Sequence, residues 1–306
     1  MEKVIVIVGP TAVGKTKMSV ELAKRINGEI ISGDSMQIYK SMDIGTAKVN
    51  TKEMDGIPHY LIDIKEPDES YSVKDFQDEV RKCIHDISSR GKVPIIVGGT
   101  GLYIKAALYD YEFSESPLDQ SYYIEKYQHY SDDQLYQYLK KIDQESAEQL
   151  HPHNRQRVLR AVAIYESTGT KKSEMIARQE HCLLYDAYFV GLTLDREVLY
   201  QRINHRVDLM VEQGLLDEID NLMKKGYSQD LQSMKAIGYK EWFAYYQGQQ
   251  SKEETIELIK KHSRQYAKRQ YTWFKNQVPV HWFDVNLNCF EETIDNVYEK
   301  IMSFYL

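Results

Sequence analysis

Cysteine is scarce in this chain: Cys83, Cys182 and Cys289 are the only three in 306 residues, far apart and without CxxC spacing. That argues against a disulfide framework or a thiolate metal site, and for reduced thiols in a cytoplasmic protein. No apolar run approaches the ~20 residues that span a bilayer, so no membrane partner is expected. The N-terminus leads straight into Val4-Ile5-Val6-Ile7-Val8 without the basic, apolar, small-residue order of a secretory leader. An excess of positive charge is also missing. The 39 Lys and Arg stand against 46 Asp and Glu, a formal net charge of −7. Taken as a mean, that balance speaks weakly against a nucleic-acid partner.

Two signatures of nucleotide hydrolysis are lacking as well. There is no N-K-x-D element to read a guanine base. The apolar run Val93–Val97 ends in glycines where a Walker B acid would stand, leaving Asp63 after Tyr60-Leu61-Ile62 as a weak substitute. A nucleotide switch or a hydrolysing ATPase is therefore disfavoured. A P-loop kinase of a nucleoside or small metabolite stays open as the alternative.

What is present begins directly after the first apolar run. Gly9-Pro10-Thr11-Ala12-Val13-Gly14-Lys15-Thr16 fits G-x-x-x-x-G-K-[ST] in its required place, after a strand and before a helix. Glycines let the backbone N–H groups turn into one hollow, Lys15 reaches outer phosphates, and the Thr16 hydroxyl suits a magnesium ion. The helix reading Met18–Ile26 would point its positive N-terminus at the same hollow. The pattern predicts binding of a di- or triphosphate.

Strand signals at Val4–Val8, Glu29–Ser32, Tyr60–Ile64, Val93–Val97 and Tyr188–Leu194 alternate with helical periodicity, as in Val73–Ser89. Such alternation predicts right-handed βαβ units: an α/β fold with a P-loop NTPase-like parallel sheet flanked by helices. From about Ser114 to Glu180 the strand signals stop and Tyr, Gln and charged residues dominate. The expected organisation is a catalytic core over 1–113 and 186–306, with a small all-helical insertion over 114–185. Everything after Asp195 reads as helical to about Lys275. The long stretch from Glu29 to Ser70 reads as a functional loop region.

Ligands of parallel sheets gather beyond the carboxyl ends of the strands. Asp34 follows one such end on a glycine hinge, in Ser32-Gly33-Asp34-Ser35-Met36-Gln37, as a candidate general base or water-mediated magnesium ligand. An Asx turn is the plainer role for it. Gln37 has the chemistry to bond an adenine edge. Arg202 and Arg206 are four apart on one helix face and suit a diphosphate clamp, or else pair with Asp195, Glu197 and Asp208. Residues 257–275 carry six Lys and Arg against one acid, interleaved with Tyr266, Tyr271, Trp273 and Phe274. That mixture suits RNA, bases stacking on rings and cations tracking phosphates, although some of those aromatics fit a helix core equally well.

In this order the pieces resemble the tRNA dimethylallyltransferases, also called tRNA isopentenyltransferases. The matching segments are Gly9–Thr16, Gly33–Tyr39, Met42–Lys48, Pro58–Asp63, Tyr71–Gln77, Gly98–Tyr103, Gln156–Arg160, Ala236–Glu241 and Arg264–Gln270, which run through nearly the whole chain. Val13 stands where a serine is usual, His153-Asn154 where Asn-Asp is usual, and no C-terminal zinc finger follows. The resemblance implies transfer of a dimethylallyl group from its diphosphate to the exocyclic amine of the adenosine at tRNA position 37. It further implies Asp34, Thr100 and Arg206 as catalytic residues, with Thr100 lining a channel between the substrates. The P-loop, Gly9 to Thr16, would hold diphosphate with Mg2+ on Thr16, and a label of ATP binding from the motif alone would mislead. Asp34, Ser35, Met36, Gln37, Gln156, Arg157, Val158, Leu159, Arg160, Lys261, Arg264, Lys268 and Arg269 would contact the tRNA anticodon stem-loop. No obligate protein partner is implied.

Overall fold

The computed structural model describes residues 1–111, 113, 120–177 and 182–305. It divides into two compact units, one of residues 1–109 with 183–306 and the other of residues 110–182. The texture change read at Ser114 and Glu180 lies outside the described residues.

In the larger unit six described strands form one parallel sheet, in the order β3-β2-β4-β1-β5-β6. They are β1 (Lys3–Val8), β2 (Gly28–Ser32), β3 (His59–Tyr60), β4 (Val93–Val97), β5 (Asp186–Thr193) and β6 (Val280–Asp284). β1 lies between β4 and β5, with Ile5 opposite Ile95 and Tyr188. Helices cover both faces, so β1 is apolar on both sides: Val4 to Val8 are at most 1% exposed. Burying each such side chain stabilises the fold by about 1.5–3 kcal/mol. The helix Val73–Ser89 starts on a Ser72 capping box and buries Phe76, Val80, Ile84 and Ile87, the 3.6-residue stripe visible in the sequence.

Two strands depart from expectation. β3 stops at Tyr60 because Leu61 (φ 61°) and Asp63 (φ 56°) take left-handed backbone, which no strand continues through. β6 and the closing helix Phe290–Tyr305 follow the long helix Lys252–Gln277. β6 is an edge strand of half-buried and exposed residues, so it lacks the continuous apolar run that marks β1.

Every regular element described in the smaller unit is a helix. Tyr127, Leu135, Leu139, Val158, Leu159 and Val162 are among its core. Asp143 ties two helices together, accepting from the Ser146 N–H (3.1 Å), the Ser173 N–H (3.1 Å) and the Ser173 hydroxyl (2.7 Å).

Candidate active site

The site grows out of four neighbouring strand ends. β1 feeds the P-loop, β2 feeds Gly33–Gln37, β4 feeds Gly98–Thr100, and β5 leads by Asp195 into the helix Arg196–Glu212. The loops are stitched together, since the Gly33 N–H donates to Val97 O (2.7 Å) and the Gly98 N–H to Ile7 O (3.1 Å). Gly9 must be glycine. Its φ is +144°, and a Cβ there would come within 2.6 Å of Leu192 O in β5. The helix Lys15–Ile26 starts on Gly14 (φ 113°) without a side-chain cap, which leaves its first N–H groups open to an anion.

A cavity of about 430 Å³ opens over this loop, lined by Thr11, Gly14, Lys15, Thr16, Arg202 and Arg206 among others. The Lys15 ammonium lies back on the loop, donating to Gly9 O and Pro10 O at 2.9 Å each. Burial and the nearby Arg206 hold its pKa down at about 8, with Asp34 pulling the other way. Arg202 Nε donates to Ala12 O (3.0 Å) and Arg206 Nη1 to Thr11 Oγ1 (3.2 Å). Of the three suggested acidic partners, Asp195 caps its own helix and Asp208 pairs with Lys260. Both arginines line the phosphate cavity.

A second cavity of about 330 Å³ shares Thr11, Asp34, Thr46, Ala47, Arg206 and Tyr266 with the first. Away from those residues its walls are mostly apolar, from Met36, Ile203, Val207, Met210, Ile237 and Ile259. Asp34 thus stands where a cationic chamber meets an apolar one. One of its oxygens accepts from the Met36 N–H (2.9 Å), the Asx turn the sequence allows. Burial raises its pKa above the ordinary aspartate value, against the pull of that N–H and of Lys15. A carboxylate raised in this way is a better proton acceptor near neutral pH.

Several residues take other places than those expected. Thr100 lines neither cavity. Its hydroxyl accepts from the Ser35 N–H (3.2 Å) and so braces the Asp34 turn from behind. Gln37 is committed to protein, its amide donating to Thr46 O and Ala47 O at 3.3 Å each. Asp63 pairs with Lys48 (2.6 Å) and does not line the phosphate cavity. Val158 and Leu159 turn into the core of the smaller unit, 0% and 9% exposed, because only one face of that helix meets solvent. Of that segment, Gln156, Arg157 and Arg160 present exposed side chains. Lys172 lies close enough to Arg157 and Arg160 for their charge to lower its pKa, after burial, which marks a cationic patch. Arg264 turns inward to Asn204 Oδ1 (2.5 Å), while Lys261, Lys268 and Arg269 on the same helix are exposed.

Gln270 escaped sequence reasoning, and Tyr266, read as a base-stacking or core aromatic, proves to line the site. Gln270 Oε1 accepts from the Thr11 N–H (2.9 Å), and its Nε2 donates to Gly99 O (3.1 Å), so one buried amide ties the P-loop to the β4 loop. Tyr266 lines both cavities, its pKa pushed up to about 12 by burial and Asp34 against the opposing pull of Thr100 and Gln270. Their signal was the 3.6-residue spacing of 266 and 270, which put both on one face without saying what that face met.

Thr16 lines the phosphate cavity with Asp34 and Glu53. Among the described residues no group of three His, Cys, Asp or Glu is placed to hold a metal. Such a donor set does not suit a closed protein cage. It fits a magnesium ion held by one hydroxyl, phosphate oxygens and water.

An IPP transferase family model matches residues 37–277. A tRNA dimethylallyltransferase of Bacillus mycoides is 56% identical over 287 residues, covering 93% of this chain and 90% of the relative. That of Anoxybacillus flavithermus is 54% identical over 299 residues, covering 98% and 93%. Among solved structures, the tRNA isopentenylpyrophosphate transferase of Bacillus halodurans is 47% identical with a TM-score of 0.76, over 99% of this chain and 97% of that one. A eukaryotic dimethylallyltransferase acting on tRNA is 33% identical with a TM-score of 0.87, over 100% of this chain and 79% of that one. The family model spans most of the chain, and relatives of 54–56% identity cover more than nine-tenths of it, the P-loop and the half-buried Asp34 beside it fitting the same assignment: the chain belongs to the IPP transferase family, the tRNA dimethylallyltransferases.

Proposed function

We propose that the enzyme transfers a dimethylallyl group from dimethylallyl diphosphate to the N6 amine of the adenosine at tRNA position 37, releasing diphosphate. The observation that carries this reading is the junction of the two cavities at Asp34, Arg206 and Tyr266. One chamber supplies Lys15, Arg202, Arg206 and the open N–H groups of the P-loop helix for a diphosphate. The other supplies an apolar enclosure for a base and a five-carbon chain.

The amine nitrogen attacks the allylic carbon, and the carbon–oxygen bond breaks with its electron pair going to the diphosphate. Lys15, Arg206 and the loop N–H groups stabilise the charge that grows there. Asp34 accepts the proton lost by the nitrogen and later returns it to solvent. An adenine amine shares its lone pair with the ring, so such a base speeds attack. Thr100 acts through Ser35, holding the turn that aims Asp34. Thr16 would hold Mg2+, which when bound adds positive charge at the leaving group. The adenosine reaches the cavity unstacked, at a cost of a few kcal/mol.

The RNA partner is the anticodon stem-loop, with Gln156, Arg157 and Arg160 of the smaller unit and Lys261, Lys268 and Arg269 of the long helix on its phosphates. The place of work is the cytoplasm. No described helix is long and apolar enough to cross a membrane. Incubation with unmodified tRNA, magnesium and dimethylallyl diphosphate, then nucleoside digestion and mass analysis, tests the reading. Adenosine heavier by one C5H8 unit is expected, and a phosphorylated small molecule made from ATP in its place would overturn it.

A further inference from the structure

Two segments far apart in sequence pack against each other and line the second cavity. Gly45, Thr46 and Ala47 form one, and Lys235, Ala236, Ile237 and Gly238 form the other. Glu218, in the first turn of the helix Leu215–Lys224, reaches both segments. Its Oε2 accepts from the N–H groups of Asp43 and Ile44 at 2.8 Å each. Its Oε1 accepts from the Gly45 N–H at 3.1 Å and from the Tyr239 hydroxyl at 2.5 Å. An ionised carboxylate offers about four acceptor sites, and here all four are filled.

Close packing depends on the same contact. A Cβ at Gly45 would lie 2.4–2.7 Å from the Tyr239 ring and hydroxyl, so only glycine lets that ring cross the turn to Glu218. Tyr239 is fully buried, and burial with the Glu218 charge keeps its hydroxyl protonated as a donor. The second segment is also anchored to the long helix. Glu241 accepts from the Gly238 N–H (2.9 Å) and meets His262 Nδ1 (2.7 Å). Beyond the turn, Thr46 and Ala47 line the phosphate cavity as well and hold the Gln37 amide through their carbonyls.

We propose that Glu218 is a positioning residue for prenyl transfer: it locks the 43–47 turn to the 235–239 segment, and so fixes the wall they form together in the chamber where the adenosine meets the allylic carbon. The inference rests on the reading of that chamber given above. Glu218 touches none of the P-loop, and the Thr46–Ala47 edge that its turn shares with the phosphate cavity carries none of that cavity's cations, so its loss should fall mainly on the tRNA half of the reaction. Glutamine at 218 keeps the size but turns an NH2 group toward donors, leaving some of the four unpaired.

The test varies tRNA and dimethylallyl diphosphate separately in steady state, and measures binding of inorganic pyrophosphate with magnesium as the probe of the phosphate cavity. In Glu218→Gln, kcat/KM for tRNA should fall about 100-fold, the scale on which a 1 Å misplacement slows a reaction. Pyrophosphate affinity should stay within about threefold. Tyr239→Phe, which leaves three of the donors in place, should lose about tenfold in the same parameter. If Glu218→Gln does not fold, Tyr239→Phe decides alone. Unchanged kcat/KM in a folded variant would overturn the proposal. Equal losses of turnover and pyrophosphate affinity would do so too, since Glu218 would then be general scaffold. Absence of prenylated nucleoside with the wild-type enzyme would instead remove the underlying reading.

Discussion

Lys15 offers the deepest test of the phosphate site, because its charge is held at a disadvantage before any ligand arrives. Burial and Arg206 lower its pKa from 10.5 to about 8. An incoming diphosphate wants the protonated form and restores it. Above pH 8 a growing share of free enzyme must take up a proton on binding, so affinity falls as pH rises. From pH 7 to pH 9 the protonated fraction drops about tenfold, and the dissociation constant of pyrophosphate should rise by about the same factor. Lys15→Met removes the group, so its affinity should be weak at pH 7 and should lack that added pH dependence.

The same shift carries a sign for stability. A lysine whose folded pKa lies below its unfolded value opposes folding while protonated, and the opposition fades as pH rises from about 8 towards 10.5. Lys15→Met should therefore be the more stable protein at pH 7, by at most about 3 kcal/mol. The two hydrogen bonds to Gly9 O and Pro10 O reduce that gain. Calorimetric titration of both proteins at pH 7, 8 and 9, with thermal melts, checks both statements. Parallel affinity profiles for wild type and variant would refute the assigned pKa and the role built on it.

Asp34→Asn should bind both substrates nearly normally and lose ~10²–10⁴-fold in single-turnover rate, the usual contribution of a general base; lost pyrophosphate binding with intact tRNA binding would move Asp34 to the magnesium shell. Replacing Lys261, Lys268 and Arg269 together by alanine should flatten the salt dependence of tRNA binding by roughly 0.9 unit of slope per lost phosphate contact. An unchanged slope in folded protein would make that helix face scaffold. Gln270→Ala should leave the Thr11 N–H and Gly99 O without their partner. A loss of about 1–3 kcal/mol in pyrophosphate binding or in stability is expected, read by titration and thermal melts.

The sequence by itself determined whatever depends on neighbours along the chain. A strand, a glycine-framed loop, Lys15-Thr16 and a helix must form a phosphate cradle because every contact in it is local. The Asp34 hinge and the glycines after β4 were legible for the same reason, as was the alternation of strands and helices that makes the sheet parallel. Helical spacing marked the face shared by Tyr266 and Gln270 but not what it would meet. That was decided by packing, which brings Gln270 to Thr11 across 259 positions and Glu218 to a turn some 175 positions away. Packing also turned Val158, Leu159 and Arg264 inward and moved Thr100 behind the wall it was expected to line. A side chain's periodicity fixes its direction from its own helix; only the assembled neighbours determine whether that direction leads to solvent, core or substrate.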